Sequence, residues 1–356
     1  MNIALSFPHR ERTITGVRNL ALSTIDQTLQ IDSVNNYYFL EENYVTSQKV
    51  NQLICVKKNT LDFAAKSNDI LCYANSIDLL HSYWDVFFDM RYPCRKIYTI
   101  YDLIPLIHPE WHYEIKEFFD VAIRKNVTCS DKIIAISENT KKDIIYYYNV
   151  KPDKVQVIYP GVKFKDIILE ENYAEYQFEY FLSVCTIEPR KNLKGIVRAY
   201  AEFRSENLDA EIKLMLVGGM GWDQDIDTII KCAGKYAKDV IVTGYVDDAK
   251  LAFLYKNAKA FVYAPFYEGF GLPVLEALYS GRAVICSDTS SLPEVGGDAV
   301  LYCNPYDPSS ISYAMKLIYD NFELVKTLEE MSLKQAEKFS FEKAAEETVK
   351  LYNAME

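Results

Sequence analysis

Three groups of residues have the types and spacing that chemistry needs. Glu268 and Glu276 enclose the run Gly269-Phe270-Gly271-Leu272-Pro273, so two acids bracket a glycine-bearing turn. Arg190 and Lys191 are adjacent cations just after an apolar run, Tyr180-Phe181-Leu182-Ser183-Val184. Tyr101 and Asp102 close the alternating run Lys96-Ile97-Tyr98-Thr99-Ile100. Two cations at a strand end suit a diphosphate, since Arg grips bidentately and Lys supplies a point charge. Two carboxylates beside a phosphate site would repel it if that were all they met, so their natural partners are neutral hydroxyls, which a carboxylate accepts well. Phosphate plus hydroxyls means a nucleotide sugar or a sugar phosphate. A glutamate pair alone also suits an ordinary βα turn with solvated acids; its placement around glycines at a strand-to-helix switch argues for a site.

The elements that must hold these groups follow from the pattern. Lys259-Ala260-Phe261-Val262-Tyr263 reads as a buried strand, and Val274, Leu275, Ala277 and Leu278 recur at helical spacing. Pro273 suits the first helical position. Gly269 and Gly271 let the loop backbone approach a bulky ligand, and the helix mouth favours an anion. Further strands end in glycine at Lys213-Leu214-Met215-Leu216-Val217-Gly218-Gly219 and at Asp239-Val240-Ile241-Val242-Thr243-Gly244, followed by Tyr245 and Val246. Met1 to Phe7 reads as a first strand, then a loop containing Gly16 and a helix over Leu20 to Leu29. That loop lacks Gly-x-Gly-x-x-Gly, so there is no dinucleotide fingerprint. Its Arg10 and Arg12, with Arg18, are read either as contacts to an acceptor phosphate or as solvated charges. Tyr83, Trp84, Phe87, Phe88 and Tyr92 are read either as core or as an apolar surface for a lipid-linked acceptor. Asp131 to Ile136 is a short strand, Ser137 a helix cap, and Glu138 to Tyr148 the helix it caps. Pro160-Gly161 ends the next strand, and the irregular stretch 163–177 is the linker. His108 and His112 are read as structural or surface residues.

The bulk properties narrow the class. A chain of 356 residues, 49% hydrophobic, buries a large core and is expected to form two domains. A net charge of −11 excludes a general nucleic-acid binder, which needs a basic field. It also excludes membrane attraction through global charge, leaving a local patch as the route to a membrane. The eight cysteines form no Cys-x-x-Cys pair, which argues against structural zinc and fits a reducing cytoplasm. The N-terminal run is too short for a signal peptide, and no apolar segment approaches the roughly 20 residues that span a bilayer. The expected location is cytoplasmic, with peripheral attachment at the inner membrane face an open option.

The stretch Glu268 to Glu276 resembles the signature of the retaining glycosyltransferases of family 4, also called group 1 glycosyltransferases. That resemblance implies the α/β GT-B architecture: two Rossmann-like domains with parallel sheets facing across a cleft. It implies an acceptor-side domain at 1–165, a nucleotide-sugar domain at 178–338, and a last helix, about 339–356, that returns to the first. It also implies a nucleotide-diphosphate sugar as donor substrate, no metal and no cofactor. Carried onto this sequence, Glu268 meets the transferred sugar and Glu276 the ribose, while backbone around Gly269, Phe270, Gly271 and Leu272 holds sugar and phosphate. Gly16 approaches the donor phosphates, Gly218 lies at the cleft edge, and Tyr245 and Val246 hold the base. Arg190 and Lys191 neutralise the leaving diphosphate, with Arg190 standing in for an arginine that some members carry where this chain has Thr186. Many members have His-Asp where this chain has Tyr101-Asp102; Asp102 joins the catalytic set and Tyr101 the donor site, without an imidazole. Tyr-Asp-Leu-Ile-Pro and Ile-Glu-Pro-Arg-Lys-Asn look most like mannosyltransferases of bacterial surface polysaccharides, which favours GDP-mannose as donor and a glycan or lipid-linked glycan as acceptor. A UDP-sugar transferase, an epimerase of the same architecture and a non-catalytic nucleotide-sugar sensor are the rival readings.

Overall fold

The computed structural model describes residues 1–6, 16–40, 52–54, 77–83, 94–112, 115–162, 173, 176–222 and 225–356. Arg10, Arg12, Trp84, Phe87, Phe88, Tyr92 and most of the linker lie outside the described residues. The chain divides into two compact units: Met1–Gly161 with Phe339–Glu356, and Val162–Lys338.

In the first unit, seven parallel strands form one sheet in the order β3-β2-β1-β4-β5-β6-β7. They are β1 (Asn2–Ser6), β2 (Asn36–Leu40), β3 (Gln52–Ile54), β4 (Leu79–Ser82), β5 (Arg95–Ile100), β6 (Lys132–Ala135) and β7 (Val155–Val157). Because side chains alternate along a strand, each strand feeds two cores. Ile3, Leu5, Leu79, Ile97 and Ile134 face one side, where Ala21, Ile25 and Leu29 of the helix Gly16–Ile31 and Ala344, Leu351 and Tyr352 of the helix Phe341–Asn353 cover them. Ala4, Leu80, Tyr98, Ile100, Ile133 and Ala135 face the other, beneath Ile123, Val127, Ile144 and Tyr148 of the helices Lys116–Cys129 and Glu138–Tyr148. Sheets covered on both faces need apolar residues in both alternating sets, which is why these strands read as runs. Ser137 Oγ accepts from the Thr140 N–H at 2.9 Å, capping the Glu138–Tyr148 helix.

The second unit repeats the plan with six parallel strands in the order β10-β9-β8-β11-β12-β13. These are β8 (Tyr180–Val184), β9 (Lys213–Val217), β10 (Val240–Gly244), β11 (Ala260–Tyr263), β12 (Val284–Ser287) and β13 (Leu301–Cys303). Both sheets therefore reverse their winding next to their first strand, at β1/β4 and at β8/β11. Loops leaving the carboxyl ends of such neighbours run in opposite directions and open a crevice between them, the place where open α/β sheets bind ligands. Among the described residues no helix is long and apolar enough to cross a membrane, and the cysteines are free.

Candidate active site

The second unit's reversal point carries the cations and one of the acids. β8 and β11 pair directly, with Phe181 opposite Ala260 and Leu182 opposite Phe261, so residues far apart in sequence leave the sheet side by side. After β8 the chain turns through Pro189–Lys191, and Asn192, at φ 56°, reverses it into the helix Leu193–Glu206. Asparagine is among the few residues other than glycine that enter this left-handed region readily. Its side chain ties the loops together, Nδ2 donating to the carbonyls of Ala264 at 3.0 Å and Pro305 at 2.7 Å. The Phe266 N–H donates to the Arg190 carbonyl at 2.9 Å, completing the lacing.

Three groups converge on Glu268 Oε1: Lys191 Nζ at 2.6 Å, Arg190 Nη1 at 2.8 Å and the Tyr263 hydroxyl at 2.7 Å. Lys191 Nζ also donates to the Tyr263 hydroxyl at 2.8 Å, so lysine, phenol and carboxylate form a closed triangle. Burial alone would raise the Glu268 carboxyl. Arg190 and Lys191, with the Lys191 and Tyr263 hydrogen bonds, override it and hold the group at about 2. Burial, then the charge of Glu268, pushes the Tyr263 phenol well above its ordinary value, so it stays a donor. Arg190 is committed further: Nη2 pairs with buried Glu188 at 2.6 Å and Nη1 donates to the Tyr267 carbonyl at 2.9 Å. Glu268 is met by cations as well as a hydroxyl, because a buried carboxylate requires counter-charge. The Arg190 guanidinium spans the two loops through both Nη groups, while Lys191 bonds Glu268 and Tyr263.

The loop from Glu268 into the next helix is held rigidly. Its backbone is pinned at Glu268 N–H to Ser290 Oγ (3.0 Å), and Ser291 Oγ donates to the carbonyls of Glu268 (3.0 Å) and Phe270 (2.8 Å). Gly271, at φ 110°, precedes the helix Leu272–Tyr279; a Cβ there would lie 2.5 Å from Leu292 Cδ2, in a conformation that side chains rarely adopt. The helix opens at Leu272, so Pro273 takes its second position rather than its first. Pro273 has no N–H, and the Val274 and Leu275 N–H groups donate back to the Gly271 carbonyl. The N–H groups of Gly271 and Leu272 donate to nothing among the described residues. They are two uncommitted donors at a helix N-terminus, suited to an anion.

Glu276 sits one turn on. Its Oε2 accepts from the Tyr255 hydroxyl at 2.9 Å, and burial pushes its carboxyl up to about 7 despite that bond. The two acids are thus split in character, Glu268 held firmly ionised and Glu276 poised near neutrality. At the ends of the adjoining strands, the Gly218 N–H donates to the Gly244 carbonyl at 2.9 Å. Gly218 has φ 139°, and a Cβ there would fall 2.0 Å from the Cys185 carbonyl oxygen, so only glycine lets β9 end against the β8 loop. Tyr245 follows, 83% exposed, with Val246 half-buried beside it.

Gly16, Tyr101 and Asp102 belong to the first unit. Gly16 begins its first helix. Tyr101 is buried, its phenol pushed well above the ordinary value by burial, and its carbonyl accepts from Thr140 Oγ1 at 3.3 Å. Asp102 Oδ1 accepts from the Ile104 N–H at 3.0 Å, holding the turn after β5. His108 stacks on Trp111 and bonds Glu110 at 3.0 Å.

Residues 165–335 match the family model of glycosyl transferases group 1, and residues 44–165 that of glycosyltransferase family 4. The O-antigen chain mannosyltransferase B of Escherichia coli is 30% identical over 272 residues, covering 73% of this chain and 71% of that protein. The chain belongs to the group 1 glycosyltransferases. The serotype-specific mannosyltransferase WbdA of Escherichia coli is also 30% identical, over 267 residues or 71% of this chain, and the chain spans 32% of its length. Among solved structures, sucrose-phosphate synthase from Thermosynechococcus elongatus superposes with a TM-score of 0.77 at 17% identity, covering 99% of this chain and 98% of that one. WaaG, a glycosyltransferase involved in lipopolysaccharide biosynthesis, gives 0.67 at 13% identity, covering 98% and 99%. At such identities the likeness speaks for the fold, which is GT-B.

In this glycosyltransferase, Tyr263, Tyr255, Glu188, Asn192 and the Ser290-Ser291 pair join the candidate site without a motif that marks them. Tyr263 left one signal, a hydroxyl-bearing residue closing an apolar strand at the carboxyl edge. Tyr255 and Glu188 left none, since each acts through a partner brought near only by tertiary packing.

Proposed function

We propose that this glycosyltransferase moves mannose from GDP-mannose to a glycan or lipid-linked glycan, with retention of configuration and without a metal, in surface polysaccharide synthesis. The observation that carries the reading is the Lys191–Tyr263–Glu268 triangle at the β8/β11 reversal, beside the uncommitted N–H groups of Gly271 and Leu272. The names of the relatives at 30% identity support mannose as the sugar.

The donor diphosphate lies against the Gly271 and Leu272 N–H groups and Lys191, with Arg190 adding charge from behind. Glu268 accepts a hydroxyl of the sugar and Glu276 the ribose hydroxyls, while backbone beyond Gly244 receives the base. As the bond from the anomeric carbon to the diphosphate oxygen breaks, negative charge grows on that oxygen beside a cation already fixed in place, the preorganised electrostatics that dominates many rate enhancements. The acceptor hydroxyl enters on the face the diphosphate leaves, its oxygen bonds the anomeric carbon, and its proton passes to a diphosphate oxygen. No protein nucleophile takes part, so no carboxylate pair needs the separation of a double-displacement glycosidase.

The test is a transfer assay of GDP-mannose, UDP-glucose and UDP-galactose against mannose-terminated oligosaccharides, with and without chelator, the product's anomeric configuration read by NMR. Transfer from GDP-mannose alone, unaffected by chelator and giving an α-linkage, is the expected result. Transfer from a UDP-sugar only would replace the donor, and an epimerised nucleotide sugar without transfer would overturn the reading.

A further inference from the structure

Between the N-terminal ends of the helices Leu193–Glu206 and Pro308–Asp320, the second unit opens a pocket of about 310 Å³. Phe266 and Tyr306 stand at it with rings stacked, centroids 5.0 Å apart at 27°, and Tyr306 is 67% exposed. Lys194 and Arg198, one helical turn apart, line the same pocket and make no hydrogen bond or ion pair among the described residues. No acid lines it; Asp307, next to Tyr306, is occupied in accepting from the Ser309 N–H at 3.0 Å. Asn192 gives the Leu193–Glu206 helix no side-chain cap, so the dipole adds to the two cations.

Each wall selects a different part of a ligand. The negative face of an aromatic ring packs against the C–H face of a pyranose, and two unpaired cations over an uncapped helix end select an anion. The volume is at the low end of the roughly 300–1,000 Å³ of small-molecule sites, which suits one substituted sugar ring and not a whole nucleotide sugar. We propose that this pocket binds a sugar ring carrying a phosphate or a carboxylate, the ring on Phe266 and Tyr306 and the anion at Lys194 and Arg198. The site is separate from the donor site, since Gly271, Glu276 and Gly218 do not line it. It shares two loops with it: Phe266 bonds the Arg190 backbone, and Asn192 follows Lys191. Occupancy therefore bears on the segment that presents Lys191.

The anion has two possible sources, a free sugar phosphate or an acidic unit of the glycan, and calorimetric titration of the full chain separates them. The probes are mannose 6-phosphate, a glucuronate-terminated disaccharide and mannose. The expected result is that at least one anionic probe binds about tenfold or more tighter than mannose, and that Tyr306→Ala and the double change Lys194→Glu with Arg198→Glu each weaken it about tenfold. Saturating GDP and Lys191→Ala should leave that binding in place. Binding of the phosphate alone assigns a free sugar phosphate, and of the uronate alone an acidic glycan unit. Equal binding of mannose, no binding of either anion, unchanged binding in both variants, or displacement by GDP would overturn the site. Binding is read without transfer, so this outcome is independent of the donor and acceptor proposed above.

Discussion

β1 and β4 in one unit, and β8 and β11 in the other, are the neighbours between which each sheet reverses, yet the polar groups buried near them are opposite in kind. In the first unit the fully buried His81 ring has Nδ1 2.5 Å from the Tyr352 hydroxyl and Nε2 2.8 Å from Thr99 Oγ1, and it stacks on Tyr83 at 4.0 Å. Burial pushes His81 down to about 3, so the imidazole is neutral, and its neighbours are phenols and a hydroxyl. A neutral ring donates at one nitrogen and accepts at the other, and hydroxyls adapt to either role. In the second unit Lys191, Arg190, Glu188 and Glu268 are full charges with side chains no more than 12% exposed. Paired ions in a low-dielectric site rarely beat apolar packing, so stability alone gives little reason to put them there. One topology thus yields a neutral, structural hydrogen-bond network at one reversal and a poised charge cluster at the other. The winding is shared by the two units, and the buried charge is what favours the β8/β11 reversal in the proposed mechanism.

The sharpest way to break that contrast is to remove the cation. Lys191→Ala should lower turnover about 10²–10³-fold, the cost typical of losing one preorganised charge-stabilising group. Arg190 still counters Glu268, so cooperative unfolding should persist by circular dichroism. Near-normal turnover would demote the charge cluster to a structural role like that of His81. A smaller loss is expected from Tyr263→Phe, which deletes the hydroxyl shared by Lys191 and Glu268. A hydrogen bond to a charged group contributes about 1.5–3 kcal/mol, so turnover should fall roughly tenfold or more while nucleotide affinity holds. An equal loss in affinity and turnover would make the phenol a general support of the loop.

The contrast between the units also shows what a sequence exposes. The apolar runs around Phe181, Leu214 and Phe261 read as strands, and burial on both faces accounts for their missing period-two pattern, whereas their parallel pairing came only with the family resemblance. The helix at Glu138 was marked by Ser137, whereas the first helix began earlier than its periodicity, at Gly16. The chemistry at β8/β11 was legible as residue types: two cations at one strand end, and an acid after glycines at another. What could not be read was their mutual neutralisation, which depends on β8 and β11 being neighbours. For the same reason the bonds of Arg190 to Glu188 and the Tyr267 carbonyl could not be read, and Tyr255 gave no hint of lying against Glu276. His81 was invisible as a network because its partners, Thr99 and Tyr352, sit in distant segments.

Acid should move the two units in opposite directions. His81 is held below its ordinary 6.5, so the unfolded chain takes up a proton first. The first unit therefore loses stability as pH falls from about 6.5 towards 3, by about 2 kcal/mol at pH 5. Glu276 is raised to about 7, so its contribution is fully present below the ordinary 4.5 and lost as pH rises through 7. Glu268, held near 2, stabilises above 4.5 and is lost only as pH falls from there towards 2. Between pH 8 and pH 5, hydrogen exchange corrected for intrinsic rates should then loosen at β4 and β5 and tighten around Glu276. Parallel changes in both units would mean that these two groups do not govern the acid response, and His81→Phe should remove the slope in the first unit alone.

The smallest expected effect tests the division of labour between the two acids. If Glu276 receives ribose hydroxyls, it must do so in competition with Tyr255, and it does so better ionised than protonated. A charge-assisted hydrogen bond exceeds a neutral one by about 1 kcal/mol, so GDP should bind roughly fivefold tighter as pH rises through about 7, where this carboxyl ionises. Glu268, already ionised far below that range, adds no slope there. Glu276→Gln should flatten the profile at the weaker affinity, and Tyr255→Phe should strengthen GDP binding at low pH by releasing Oε2 from its competitor. A profile that keeps its slope in Glu276→Gln would place the titrating group elsewhere and remove Glu276 from the ribose. Glu268, ionised throughout this window, would keep its proposed place in the charge triangle.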